Sequence, residues 1–468
     1  MEATLDSAFN CEIDKSIGTM IQQISSEQGV KKMQKLEEFC QFLEVRLKDY
    51  SAPRSSTLQP DWLSAIRPQL KLCLQGKFGS IPLDMNLPSH IGLRLSSLLL
   101  EAFGIDWLLN CEEALTLLQT LTHVSALEIQ CYVETLKSSN PPTPAQLEAL
   151  ASASLILERL IQLFNQEEEN EELAVNLSES AEAKLCLTVA DAVKAAANCL
   201  LDIPDAQLCS LVPLCRLICC WSVHDLELLQ NLMPQLAARI LQISRQCLTV
   251  GSEVNLFCLF LPVLDQLSAF PSYLSSLATA GLFPALQQYL EHLWSQYLKN
   301  PANCDVKSQM FTTYTILLGT ISEKDLIPQD TSWIEGYLKF VQRLLSHKSL
   351  PENSYTLCYA AAATNLMLIC KNDKPPTSDL LETLLKALIE PTQSRDLSDE
   401  QEFMADLRKL ALTSIAQLAV KLPVEVQTSL RESGYYNFLL SQRSRFKNSE
   451  TQHLVQSLVA DFGDNCVL

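Results

Sequence analysis

Apolar residues recur along this chain at helical spacing. Leu36, Phe39, Cys40, Leu43 and Leu47 follow one another in steps of one, three or four, with Glu37, Glu38, Gln41 and Glu44 between them. Such steps gather the apolar set on one face of an α-helix and the polar set on the other. Leu150, Ala153, Leu157, Leu160, Ile161 and Phe164 repeat the pattern, and so do Leu185, Val189, Ala192, Val193, Ala196 and Leu200. No long alternating stretch is present, and no Asn-Gly or Asp-Gly hairpin signal. The pattern predicts roughly twenty helices, mostly about 12–25 residues long.

Helix starts are punctuated. Thr143-Pro144-Ala145-Gln146 reads as an N-cap, a proline at the first helical position and a glutamine that bonds back to the cap. Ser398-Asp399-Glu400-Gln401 and Asn110-Cys111-Glu112-Glu113 are further capping candidates. The loops predicted between helices are Ser51–Gln59, Gly76–Pro88, Ser138–Pro142, Gln166–Asn176, Asn300–Val306, Lys371–Thr377 and Pro391–Leu397, which are rich in proline, serine, asparagine and charge. None resembles a long flexible linker.

Two short segments narrow the class. In Ala280-Gly281-Leu282-Phe283-Pro284-Ala285-Leu286, the glycine permits a sharp turn and the proline suits the first turn of the next helix. This resembles the corner of an armadillo-type repeat, and Ser433-Gly434-Tyr435-Tyr436-Asn437-Phe438-Leu439 is a second copy without the proline. No strict period of ~40–47 residues runs through the chain, so the repeats are degenerate. The fold expected is all-α, an α-solenoid of degenerate armadillo/HEAT-like helical repeats. It is expected to form one continuous array over 1–468, with helices at 1–59, a central part at 60–372 and further helices at 373–468.

Composition sharpens this picture. Leucine fills 86 of 468 positions and glycine only 12, which excludes a disordered, collagenous or all-β chain. The length exceeds the ~250–300 residues at which single cores stop growing, so it requires several domains or one running core. With 54 acidic against 35 basic residues the net charge is -19, and nucleic-acid binding through a basic face is not expected. The N-terminus, Met1-Glu2-Ala3-Thr4-Leu5-Asp6, lacks a signal-peptide core, and Glu2 in place of glycine excludes myristoylation. No apolar run reaches the ~20 residues that span a bilayer; Val254 to Leu264 is about half that. A cytoplasmic protein follows, with its 17 cysteines reduced and the Asn176-Leu177-Ser178 sequon unused. Asn465 stands where a C-terminal prenylation signal needs cysteine.

Catalytic motifs are missing. The chain contains no G-x-G-x-x-G, no G-x-S-x-G and no H-E-x-x-H. Asp461-Phe462-Gly463 spells a kinase metal-binding tripeptide without a catalytic loop before it, and reads as coincidence. Cys215, Cys219, Cys220 and His224 form the one Cys/His cluster. On a continuous helix they point to two faces, which favours packing over a tetrahedral zinc site. No catalytic, cofactor or metal residue is assigned. Trp62, Trp107, Trp221, Trp294 and Trp333 read as core residues rather than interface anchors. The densest charge block is Glu167, Glu168, Glu169, Glu171 and Glu172. Such a block is either a solvated loop or a docking patch for a basic protein segment.

A family resemblance adds to these readings. Trp62-Leu63-Ser64-Ala65-Ile66 opens a helix. Gly92-Leu93-Arg94-Leu95-Ser96-Ser97-Leu98-Leu99-Leu100-Glu101-Ala102-Phe103-Gly104-Ile105-Asp106-Trp107 then resembles a segment of the neurochondrin family, which places an apolar helix before a Gly-x-Asp-Trp element. Ala114-Leu115-Thr116-Leu117-Leu118, Ser125-Ala126-Leu127-Glu128-Ile129-Gln130 and the helix from Leu187 to Leu201 are similar to later stretches of that family, in the same order. The resemblance runs from about Trp62 to Asn372, and it implies that an N-terminal part of the family's helical region is missing or diverged here. It further implies an armadillo-like, non-enzymatic cytosolic scaffold without cofactors, acting in neuronal signalling and neurite outgrowth. The implied partners are other proteins: calcium/calmodulin-dependent protein kinase II, whose phosphorylation the family restrains, and receptor cytoplasmic tails. The implied location is the cytoplasm, including neuronal processes. A solenoid adaptor for transport or chaperone assembly is the alternative.

Overall fold

The apolar stripes are the buried faces of helices. In the computed structural model Met33, Leu36, Phe39, Cys40 and Leu43 are buried on α2 (Gly29–Arg46), while Glu38 and Gln41 are exposed. The second and third stripes are buried in full on α7 (Pro144–Glu169) and α8 (Glu179–Asp202). The structure describes residues 2–46, 62–77, 88–109, 113–137, 142–169, 179–203, 208–250, 254–322, 331–347, 354–372, 375–389, 398–442 and 449–463. Among these residues there are 21 α-helices, one 3-10 turn at Glu227–Leu229, and no strand. The chain divides into two units, Met1–Ile243 and Ser244–Leu468.

The first unit has two layers. One holds α2, α4 (Pro88–Phe103), α7 and α9 (Leu208–His224), each packed on the next. The other holds α1 (Glu2–Ser26), α3 (Trp62–Leu74), α6 (Ala114–Lys137) and α8, again each on the next. Across the layers α1 pairs with α2, α3 with α4, α6 with α7, and α8 with α9. The short α5 (Asp106–Leu109) bridges α4 and α6. Each helix therefore touches its hairpin partner and the same-layer helices of adjoining pairs, which is the packing rule of a helical repeat array.

The second unit obeys the same rule. After α10 (Met233–Val250), within which the division between the units falls, one layer holds α11 (Leu256–Ser268), α14 (Cys304–Ser322), α16 (Tyr355–Lys371), α18 (Ser398–Lys421) and α21 (Ser449–Gly463). The other holds α13 (Leu282–Lys299), α15 (Thr331–Leu345), α17 (Ser378–Ala387) and α19 (Pro423–Glu432), with α12 (Pro271–Thr279) before α13 and α20 (Tyr435–Gln442) after α19. At its centre, every residue of α16 from Thr356 to Cys370 is buried. A helix apolar or small on all sides has neighbours on all sides, and here they are α14, α15, α17 and α18.

The fold is all-α, and within each unit it is an α-solenoid of degenerate armadillo-like repeats. The repeat is hidden from the sequence because its pitch varies. Equivalent helices begin at Gly29, Pro88, Pro144 and Leu208 in one unit and at Cys304, Tyr355, Ser398 and Ser449 in the other. Both glycine corners take the left-handed backbone expected of them. Gly281 has φ of 90° and Gly434 of 77°, and each lies one residue before a helix, α13 or α20. Their carbonyls accept from Ala285 and Phe438, closing the first turn of each helix at 3.2 Å.

The capping prediction at Thr143 holds in detail. Its backbone N–H donates to Gln146 Oε1 at 2.9 Å, and its Oγ1 accepts from the Gln146 N–H at 3.3 Å. Three boundaries differ from the sequence reading by several residues, one of them the expected loop Asn300–Val306, within which α14 begins at Cys304. The helix expected to start after Asn110 begins at Ala114, so Glu113 takes the capping position; Leu117 N–H donates to its carbonyl at 3.0 Å. The expected loop Gln166–Asn176 is helical as far as Glu169, because glutamate is a good helix former and extends α7 past its apolar stripe.

Candidate interaction surface

Between α3 and α6 of the first unit lies an open groove of about 680 Å³. Its walls include Arg67, Pro68, Lys71 and Leu72 of α3, and Glu113 and Leu117 at the start of α6. Arg67 and Lys71 are four residues apart and so share a helix face. Pro68 stands between them, exposed, inside the helix. Arg67 Nη2 donates to the Trp107 carbonyl at 2.5 Å, which fixes the guanidinium beside α5. Lys71 Nζ meets Glu113 Oε2 at 2.6 Å, with the two side chains 30% and 67% exposed. An ion pair so exposed contributes only about 0.2–1 kcal/mol and exchanges readily. The groove also lies at the N-terminal, electropositive end of α6.

The other layer carries charges that tie helix to helix. Arg94 of α4 meets Glu44 of α2 at 2.5 Å and Glu148 of α7 at 2.8 Å. Arg216 of α9 binds Glu158 of α7 with two hydrogen bonds, of 3.1 and 2.8 Å. Glu158 is only 7% exposed and its partner 31%. Burial raises the Glu158 carboxyl above its ordinary value, against the pull of the Arg216 guanidinium. His90 Nε2 lies 3.2 Å from Glu128 Oε1, joining α4 to α6. These pairs register neighbouring helices.

The Cys215, Cys219, Cys220 and His224 cluster lies on α9, and it divides between faces as its spacing requires. Cys215 and Cys219 are buried, as are Leu214, Leu217 and Trp221. Cys220 Sγ donates toward the Glu158 carbonyl at 3.7 Å, and His224 meets the Trp221 ring edge-on at 5.5 Å. Burial pushes the Cys219 thiol well up and that of Cys220 to about 12. Among the described residues no three His, Cys, Asp or Glu side chains gather as a metal site.

All five tryptophans are buried. Trp62 donates to Asp14 Oδ1 at 2.9 Å and stacks edge-on with Phe103, while Trp333 packs against Phe283 and Tyr337. They are core residues. Of the acidic block, Glu167, Glu168 and Glu169 form the last turn of α7, which holds no basic residue. Glu171 and Glu172 lie outside the described residues. The α3–α6 groove was not anticipated from the sequence. Its one signal there is the Arg67-Pro68-x-x-Lys71 run, where a proline interrupts an otherwise regular amphipathic helix.

Comparison with protein families decides the relationship. The family model described as Neurochondrin matches residues 3–369. The chain belongs to the neurochondrin family. The neurochondrin match begins upstream of Trp62, where the resemblance in sequence starts, and runs from α1 into α16. As a member of the neurochondrin family the chain is a helical protein-interaction scaffold. No curated protein matches it in sequence. Among solved structures, one concerning a phosphorylation switch that controls the interaction between cadherin and beta-catenin contains a similar chain. The two are 12% identical, over 96% of this chain and 99% of that one, with a TM-score of 0.34. Among the described residues, no helix of this neurochondrin-family chain is long and apolar enough to cross a membrane.

Proposed function

We propose that this chain is a non-enzymatic cytoplasmic scaffold in neuronal signalling and neurite outgrowth, which binds calcium/calmodulin-dependent protein kinase II and restrains its phosphorylation. The observation that carries this reading is the neurochondrin match over residues 3–369. The two-layer helical packing agrees with it, since such arrays present long surfaces to protein segments.

The acidic block is the docking patch in this proposal. Glu167, Glu168 and Glu169 occupy the negative end of the α7 dipole, in a turn without a basic residue. Negative charge at that end of a helix is unfavourable to the dipole, although glutamate favours the helical backbone. A basic segment of a partner supplies the opposing charge, and Glu171 and Glu172 extend the attraction. Receptor cytoplasmic tails with basic stretches are partners of the same kind.

Titrating the purified kinase into the chain, at low and at high salt, tests the proposal. Saturable binding is expected, weakened by salt and weakened roughly tenfold when all five glutamates become glutamine. Equal affinity for both forms at both salt concentrations removes the patch from the account, and no binding of either form removes the kinase.

A further inference from the structure

We infer that the groove between α3 and α6 takes a short acidic-apolar protein segment, in which a carboxylate stands beside leucine-like side chains. This goes beyond the scaffold reading, because it assigns a second site with the opposite charge preference to the glutamate block.

Volume and lining set the apolar part. About 680 Å³ is room for a few side chains of a peptide, within the ~300–1,000 Å³ of ordinary ligand clefts. Pro68, Leu72 and Leu117 give it apolar walls on both helices. Leucine-sized side chains that leave water there add apolar burial to the binding.

Charge sets the rest. The chain as a whole has 54 acidic and 35 basic residues. Among the described side chains that line this groove the balance reverses: Arg67 and Lys71 face one carboxylate, that of Glu113. The amino end of α6 adds the positive pole of a helix dipole on the same side. Glu113 is 67% exposed, so it holds Lys71 loosely. An incoming carboxylate takes the place of Glu113 on Lys71 while its apolar neighbours cover Leu72 and Leu117. Arg67 is held by the Trp107 carbonyl, so its charge stays at the groove wall without ordering on binding.

The test uses the full chain and fluorescently labelled short peptides with two leucines flanked by glutamates, beside the same peptides carrying glutamine. Saturable, salt-sensitive binding is expected for the glutamate peptides and not for the glutamine ones. The two rim variants should act in opposite directions. Lys71→Gln weakens binding roughly five- to tenfold, and Glu113→Gln, which removes the competing carboxylate, tightens it by about three- to fivefold. Both residues are at the rim, and unchanged circular dichroism and melting confirm folded variants. Substituting the five glutamates of the acidic block leaves this binding unchanged, which separates the outcome from the kinase proposal. The inference is overturned if the glutamate peptides do not saturate, if glutamine peptides bind equally, or if both rim variants behave like the parent chain.

Discussion

Lys421, the last residue of α18, donates from Nζ to the carbonyl oxygen of Cys370 near the end of α16, at 2.7 Å. Lys371, the last residue of α16, donates in the same way to the carbonyl of Ser322, the last residue of α14. Carbonyls at a helix C-terminus have no partner within their own helix, and a cation there also opposes the negative end of the dipole. Each of these helices is thus capped by the lysine that ends the next helix of its layer. Lys371 and Lys421 are equivalent positions of one repeat.

Replacing either lysine by methionine keeps the apolar stem and removes the cap. Each variant should lose about 0.5–1.5 kcal/mol of stability, read from chemical denaturation midpoints, with arginine restoring part of it. A methionine variant as stable as the parent at low salt would show that these bonds contribute nothing.

This pairing explains what was legible in the sequence and what was not. Helix faces could be read because burial imposes three-and-four spacing, and the Thr143 box and the Gly281 and Gly434 corners because local chemistry fixes them. The repeat itself could not. It is carried by contacts between residues about fifty positions apart, such as Lys421 and Cys370, within helices of uneven spacing. The α3–α6 groove was hidden for the same reason: Lys71 and Glu113 meet only through the layer packing of two helices.

The two glycine corners should respond unequally to alanine. Both have positive φ, so each substitution carries roughly 1–2 kcal/mol of backbone strain. At Gly434 the new methyl group enters open space, whereas at Gly281 it meets Arg245 Nη1 at 3.2 Å. Thermal unfolding should therefore show Gly281→Ala as the more damaging of the two. The reverse order would contradict the corner geometry.

The Glu158–Arg216 pair gives a pH prediction. Burial raises the folded-state titration of Glu158 above its ordinary value. Between the unfolded and folded titration points the native state therefore binds more protons, so stability from this group falls as pH rises through that window and recovers as pH drops. Glu158→Gln should flatten this part of the stability profile. Arg216→Met leaves the buried carboxylate with only the more distant Arg159 as counter-charge, and should cost up to about 3 kcal/mol at neutral pH. That cost should shrink on acidification, as the carboxyl takes up its proton. Urea midpoints across a pH series check both, and a cost for Arg216→Met that grows toward acid would refute the assignment.

The central claim, that this neurochondrin-family chain restrains a partner kinase by binding it, is tested most directly by phosphorylation. Calcium/calmodulin-dependent protein kinase II is activated with and without an excess of the purified chain, and its autophosphorylation is followed over time. The account predicts a lower extent that depends on the concentration of the chain and recovers when the five acidic-block glutamates are replaced by glutamine. An autophosphorylation time course unchanged at saturating chain would contradict it.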